Sequence, residues 1–499
     1  MALLEIDTLS VDHGTGPALS ALTLNITKGQ AFGIAGATGA GKTTLALALG
    51  GLLPATSQHS GSIRFDGTRL PTHEDQVARL RGQRIAFLFG DGRMSLDPLR
   101  PLGQQAGNAE LLAEAGLDPA AFPHALDAAG QRQAQLAIAL ARDPDVLVAD
   151  EPTHGLDAIG VRALLDRLAT LQKRLGFALL LLSRDHRAIA LCCGEAMILR
   201  NGRAVELGPP TEIFGRPQHD YSRALVAAGR LRPRTLSRSP IGTELLTLRD
   251  VSFAVPAGGT AKLNFAIRRG EALAVVAPPR SGKTRLARII AGLERARAGL
   301  LVLDHDSYHG DDLPPSRRRE IAMVFARPEH SFDPRLPVGM SLSEPLRLEP
   351  HRTIEEQADR LIDTVRAVGL APDLLRALPR TLAPDQLYRL ALARALIARP
   401  KLMIVDDPAD GFDPERRSVL VDLIDRVRSD YSLTLVVTTR DFDVARALTD
   451  RTLVLDGGGV VEEGPSSQLL EAPQHATTRA LVAARLPEVG IATTAAAFG

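Results

Sequence analysis

The chain has 499 residues, 45% of them hydrophobic and 23% charged; that is long enough for two domains of about 230 residues each and too apolar for a disordered chain. Its formal net charge of +1 supplies neither a basic field for nucleic acid nor an acidic, solvating tail. The only cysteines, Cys192 and Cys193, are adjacent, which excludes a disulfide framework or a spaced metal site and fits a reducing cytosol.

The N-terminal stretch MALLEIDTLSV lacks the basic and long apolar regions of a secretory leader. The longest apolar runs, such as Ala178 to Leu182, are far too short to span a bilayer, so a soluble chain is expected. AFGIA reads as a buried strand, followed by Gly36-Ala37-Thr38-Gly39-Ala40-Gly41-Lys42-Thr43-Thr44 and then the helical TLALALGGLL. This is a G-x-x-x-x-G-K-[ST] loop in its required strand-to-helix context. Its glycines let backbone N–H groups face phosphate oxygens, Lys42 neutralises their charge, and Thr43 can ligate Mg²⁺.

Further along, the strand VLVAD ends in Asp150 and Glu151, with Gly155-Leu156-Asp157 beyond. The first carboxylate can hold Mg²⁺ through water and the second can polarise an attacking water. ALLLLS is a further buried strand, leading into Arg184-Asp185. No histidine, His154 and His186 included, has metal-ligand spacing.

The order then repeats. EIDTLSV near residue 5 matches LRDVSFAV near 248, and RIAFLFGDGRMSLDP matches EIAMVFARPEHSFDP. PDVLVADEPTHGLD matches PKLMIVDDPADGFD, and PQHDYSRAL matches PQHATTRAL, the last two pairs at one offset of 256. A duplication this large means two domains, placed at 1–231 and 245–488, with a Pro/Ser/Arg-rich linker at 232–244 and a frayed tail at 489–499. Apolar strands alternating with Ala/Leu/Arg-rich helices predict an α/β fold with a mixed, largely parallel core sheet in each half.

The second loop is damaged. Ala277-Pro278-Pro279-Arg280-Ser281-Gly282-Lys283-Thr284 keeps Gly282, Lys283 and Thr284 as candidate phosphate-binding residues, but two glycines are lost, two prolines carry no N–H, and Arg280 stands at the place of Gly39. Either it still holds ATP or it is a retired loop retained for packing.

Together these motifs resemble the ATP-binding cassette (ABC) ATPases over nearly the whole chain. The finer resemblance is to the peptide/nickel importer subfamily, carried by Ser95-Leu96-Asp97-Pro98, Ser331-Phe332-Asp333-Pro334 and both PQH…RAL segments. The family implies a helical subdomain in each half, ATP and Mg²⁺ as cofactors, and head-to-tail pairing of the two domains. It also implies a cytoplasmic place on the inner face of the membrane, with transmembrane permease subunits and a solute-binding protein as partners.

Departures from the family are many. The Q-loop glutamine is Gly90 and Ala326, and the switch histidine is Arg184 and Arg440. The LSGGQ signature reads Leu126-Asp127-Ala128-Ala129-Gly130 and Leu382-Ala383-Pro384-Asp385-Gln386, where an aspartate would repel a γ-phosphate. The second acid pair, Asp406-Asp407, is one methylene short at the water-polarising position. The adenine-stacking aromatic aligns with His13, which is a weak stacker or simply a strand-end histidine, and with Val255. From Gly90 to Leu126 is 36 positions against 56 from Ala326 to Leu382, so the first helical subdomain is shortened.

These observations predict the ATPase subunit of a peptide-type importer, with ATP held mainly at the first loop, Glu151 as the catalytic carboxylate and one active site at most. Arg184 either supplies fixed charge at the γ-phosphate or merely forms a structural salt bridge. The alternative is an ATP-sensing pseudo-ATPase that stabilises an assembly. Soluble cassettes acting on ribosomes or DNA usually carry a long charged linker or insert, which is missing here.

Overall fold

Strands with both faces covered need apolar side chains at every position, and Val146–Asp150 and Ala178–Ser183 are buried throughout. In the computed structural model they lie side by side inside a six-stranded sheet. Its order is Arg203–Gly208, Glu195–Arg200, Ala31–Ala35, Ala178–Ser183, Val146–Asp150, Ile85–Phe89, with only the first pair antiparallel. The structure describes residues 2–14, 16–70, 74–90, 96–107, 109–234, 242–255, 262–348, 351, 353–408 and 412–489. Ser95, most of the expected linker (235–241) and the tail from 490 lie outside them.

A second, antiparallel sheet joins Pro17–Thr27, Ala2–Asp12, Gln58–Phe65 and Thr68–Arg69. In Pro17–Thr27 the residues Leu22, Leu24 and Ile26 are buried while Thr23 and Asn25 face solvent, the alternation of a strand with one covered face.

The second half repeats the plan. Gly459–Pro465, Arg451–Asp456, Ala272–Val276, Thr434–Thr439, Leu402–Asp406 and Ile321–Val324 form its six-stranded sheet in the matching order, beside an antiparallel sheet of Leu263–Arg268, Glu244–Ser252, Ala298–Leu303 and Asp306–Tyr308. Both halves are therefore α/β domains with mixed, largely parallel core sheets. The chain divides into one unit of Met1–Arg230 with Asp413–Glu415 and Ala484–Gly499, and another of Leu231–Phe412 with Arg416–Ala483. In the first unit Leu486 packs with Leu165 and Ala188, Val489 joins the core, and Glu488 pairs with Arg230 at 2.8 Å.

The helical parts differ as the spacing predicts. In the second unit the 14-residue helix Ile354–Ala367, opened by a Thr353/Glu356 capping box, packs against the helix Pro384–Ile397. In the first unit two five-residue helices, Leu102–Ala106 and Glu110–Glu114, pack instead against the corresponding Ala128–Leu140. Asp127 caps that helix, accepting from Gly130 N at 2.7 Å, and Ala383 stands at the same N-cap position in the second unit. The signature register anchored on Leu126 and Leu382 is therefore the one the helices use, and the Asp127 carboxylate is engaged in a cap rather than free.

Candidate functional site

In the first unit the loop after Ala31–Ala35, the acid pair after Val146–Asp150 and Arg184 after Ala178–Ser183 all emerge at the carboxyl ends of adjacent parallel strands, since Ala35 pairs with Ser183 and Asp150 with Leu182. This edge, next to the reversal of strand order, is where open α/β sheets bind ligands. A Cβ at Gly36 would stand 2.5 Å from the Leu199 carbonyl oxygen, so the loop passes where only glycine fits. Gly41, at φ 106°, is the N-cap of the helix Lys42–Gly50, which has neither a side-chain cap nor an acid in its first turn. Its first N–H groups are left for an anion.

Lys42 is buried, and its Nζ donates to the carbonyls of Gly36 (2.6 Å) and Ala37 (3.0 Å) while standing 3.5 Å from the Glu151 carboxylate. Burial pulls the ammonium below its ordinary pKa, against the pull of Glu151 and Asp150. Asp150 is pushed up by burial, opposed by a hydrogen bond from the Thr43 hydroxyl. One Asp150 oxygen, Oδ1, is buried without a hydrogen-bond partner, and a buried lone acceptor is costly. An exposed Thr43 hydroxyl beside an orphaned carboxylate oxygen is an all-oxygen donor set that suits Mg²⁺. Thr38 and Gly39 lie exposed at the loop tip, with Ala40 buried beneath them.

Glu151 sits at φ 48°, a left-handed conformation costing about 1–3 kcal/mol that active sites retain when the surroundings enforce it. Here they do: Oε2 accepts from the Arg184 backbone N at 3.2 Å, and the Arg184 Nε lies 3.3 Å from Oε1. The Arg184 guanidinium also meets His154 Nδ1 at 3.1 Å. His13 is fixed beside the loop, Nε2 to the Thr44 hydroxyl at 3.1 Å and Nδ1 to the Ser57 hydroxyl at 2.8 Å.

The second unit assembles the same parts with different partners. Lys283 donates to Asp407 at 2.6 Å instead of to its own loop, and Arg440 lies 3.8 Å from the same carboxylate. Burial lowers the Lys283 pKa, with Asp407 the largest opposing charge. Thr284 and Thr438 both donate to Asp406 Oδ1, whereas Asp150 accepts from Thr43 and Leu182 stands at the place of Thr438. Arg280 adopts φ 61° where Gly39 has φ 82°, at a cost of about 1–2 kcal/mol for a residue with a Cβ. A cavity at this loop is lined by Arg280, Lys283, Arg285, Arg288 and Arg440. Gly282 caps the helix Lys283–Ile290, and Val255 is buried as packing.

Two contacts were not read from the motifs. Arg132, buried in the helix Ala128–Leu140, donates to the carbonyls of Phe89 (2.5 Å), Gly90 and His154 (3.2 Å), tying the Q-loop position to the segment after Glu151. A Cβ at Gly90 would stand 3.0 Å from the Glu151 carbonyl oxygen, so the backbone has closed on the space beside the missing glutamine. The counterpart of Arg132 at the 256-residue offset is Tyr388, which packs edge-on to Phe412. Tyr221, in the tail motif, accepts from the Ala37 amide at 3.1 Å. The Gln/Arg-rich helix and the tail motif were the available signals.

Comparison with known proteins adds four findings. The family profile described as ABC transporter matches residues 19–154 and 260–410. The chain is 29% identical over 526 residues to the peptidoglycan transport ATP-binding protein YejF of Agrobacterium fabrum, covering 97% of this chain and 96% of that one. It is 29% identical to the glutathione import ATP-binding protein GsiA of Escherichia coli, covering 94% and 86%. Among solved structures, the ADP- and phosphate-bound dimer of the ATP-binding cassette MJ0796 is 25% identical and covers 44% of this chain and 99% of its own, with a TM-score of 0.40.

Proposed function

The chain belongs to the ABC transporter family, whose profile matches more than half of its residues in two blocks, and on that premise we propose that it is the ATP-binding subunit of an importer for peptides or similar small solutes, charged with ATP mainly at the first loop. The observation that carries this reading is the first site itself: Lys42, Asp150, Glu151 and a free-ended helix meet at one sheet edge. The names of the two relatives and the tail motifs support the solute class.

In this reading Gly36, Ala37, Thr38, Gly39, Ala40, Gly41, Thr43 and Thr44 cradle the phosphates, Lys42 neutralises them, and the His13 ring lies beside the nucleotide. Thr43 and, through water, Asp150 hold Mg²⁺, which when bound neutralises charge on the β- and γ-phosphates. Glu151 orients and deprotonates the attacking water, and the Arg184 charge lies beside the γ-phosphate. Gly282, Lys283 and Thr284 keep the phosphate end of a second site that does not turn over. The sequence repeat sets the domains at 1–231 and 245–488, of which 484–488 pack with the first unit. Among the described residues no helix is long and apolar enough to cross a membrane, so the place on the inner face of the cell membrane depends on permease subunits, with a solute-binding protein delivering cargo.

A second reading has its own observation. Arg184 occupies Glu151 from both its backbone N–H and its guanidinium, so the carboxylate that would have to meet the attacking water is already engaged by the end of the neighbouring strand. Such a chain would sense ATP without hydrolysing it. Steady-state ATP turnover of the chain reconstituted with its membrane subunits separates the two: turnover lost in Glu151→Gln supports the importer, and none above background in the intact complex supports the sensor.

A further inference from the structure

The tail motif PQHDYSRAL does work that its sequence does not show. In the first unit His219 caps the helix Asp220–Ala228 by accepting from the Tyr221 amide at 3.0 Å, and Arg223 folds back onto the Gln218 carbonyl at 2.6 Å. This framework sets one side chain free to leave the motif. Tyr221, half-buried, reaches the phosphate loop, where its hydroxyl oxygen accepts from Ala37 N at 3.1 Å. The ring is held from another side by Arg200, whose guanidinium carbon lies 5.0 Å from the ring centroid and whose strand, Glu195–Arg200, pairs with the strand that feeds the loop.

Ala37 is thereby held at both ends of its residue, the N–H by Tyr221 and the carbonyl by Lys42 Nζ at 3.0 Å. The side chain that must meet phosphate is oriented by a carbonyl that the tail helix fixes. The second unit has lost this link at both ends. Pro278, at the place of Ala37, has no N–H to donate. Thr477, at the place of Tyr221, donates instead to Asp456 at 2.6 Å, and Asp456 stands where Arg200 does. The cap survives there, with His475 accepting from the Thr477 amide at 3.2 Å, so the helix is preserved and only the reach to the loop is gone. In that unit the loop lysine has turned to Asp407.

We infer that Tyr221 is a positioning residue for nucleotide binding: through the Ala37 amide it fixes the start of the first phosphate loop and with it the Lys42 ammonium. Its partner is the loop backbone, not the ligand. The inference concerns ATP binding alone and stands whether or not the bound ATP is hydrolysed.

The test is a double-mutant cycle on the full chain carrying Lys283→Ala, so that a fluorescent ATP analogue reports the first loop. Tyr221→Phe keeps the ring and its Arg200 contact and removes only the hydroxyl; Ala37→Pro removes the donor and puts in its place the ring that Pro278 carries in the second loop. One lost neutral hydrogen bond should weaken the affinity by about three- to tenfold in Tyr221→Phe, and adding Tyr221→Phe to Ala37→Pro should change it by less than about twofold, because the bond is already gone. The melting temperature of Tyr221→Phe should stay at that of the parent, which separates loop positioning from a general packing role. Unchanged affinity in Tyr221→Phe, or a double variant in which the two losses multiply, would overturn the inference.

Discussion

In the first unit the loop lysine is held by carbonyls of its own loop, with a glutamate at 3.5 Å, whereas in the second it is taken directly by an aspartate at 2.6 Å. The backbones follow one plan, and the acid positions even share a left-handed φ, 48° at Glu151 and 43° at Asp407. The difference lies in chemistry laid over that plan. Shortening the acid by one methylene, removing the Ala37 donor and placing Arg280 in the loop leave a lysine that pairs internally and an Asp406 carboxylate whose Oδ1 takes two hydroxyl donors. A buried acceptor left unpaired is costly, and Asp150 Oδ1 is such an oxygen in the first unit.

The comparison breaks most readily at the acids. Glu151→Gln should lower steady-state ATP turnover of the reconstituted complex by about 10²–10⁴-fold, as expected on losing a general base, while Asp407→Asn should leave it within about twofold. Equal losses would mean that both units work.

A second difference titrates. His186 is buried against Phe214 with both ring nitrogens unpartnered, and its counterpart in the second unit is the buried Phe442. Burial lowers the His186 pKa to about 4, against roughly 6.5 when unfolded. Because the folded value is the lower one, the unfolded chain takes up the proton first. The stability this site confers is full above about pH 6.5 and falls as pH drops toward 4, by up to about 3 kcal/mol. Denaturant melts of His186→Phe at pH 7 and pH 4.5 should show a smaller acid loss than the parent. An identical loss would place the acid sensitivity elsewhere.

The clamp at Arg132 gives a smaller contrast. Arg132→Met strips a charged donor from three carbonyls and should destabilise the first unit by about 2 kcal/mol in a urea melt, whereas Tyr388→Phe removes a buried hydroxyl without a partner and should cost less than about 1 kcal/mol. Smallest is Asp407→Ala in a Lys42→Ala background. Freeing Lys283 should raise the ATP affinity of the second loop by about threefold, and a fall would show that Asp407 assists binding rather than competing for the lysine.

The fold was legible because its signal is local. AFGIA, VLVAD and ALLLLS are apolar without alternation, each precedes a motif, and the repeat in the second half, at an offset of 256 from the signature segment onward, doubles every observation. The shortened helical subdomain followed from spacing alone. The site was legible as a parts inventory, since Lys42, Asp150, Glu151 and Arg184 stand at strand ends that a parallel sheet must bring to one edge. The pairing among those parts was not. Whether a buried lysine meets a loop carbonyl or a carboxylate depends on differences of about 1 Å, which a one-methylene change from Glu151 to Asp407 is enough to reverse. Arg132, Tyr221 and the return of residues 484–489 to the first unit are long-range contacts with no periodicity to betray them.

The most direct test of the asymmetry is the stoichiometry of ATP binding to the full chain by titration calorimetry with Mg²⁺ present. The account predicts one strong site per chain, lost in Lys42→Ala by about 10²-fold in affinity and kept in Lys283→Ala. Two equivalent sites, or a strong site that survives Lys42→Ala and disappears in Lys283→Ala, would contradict it.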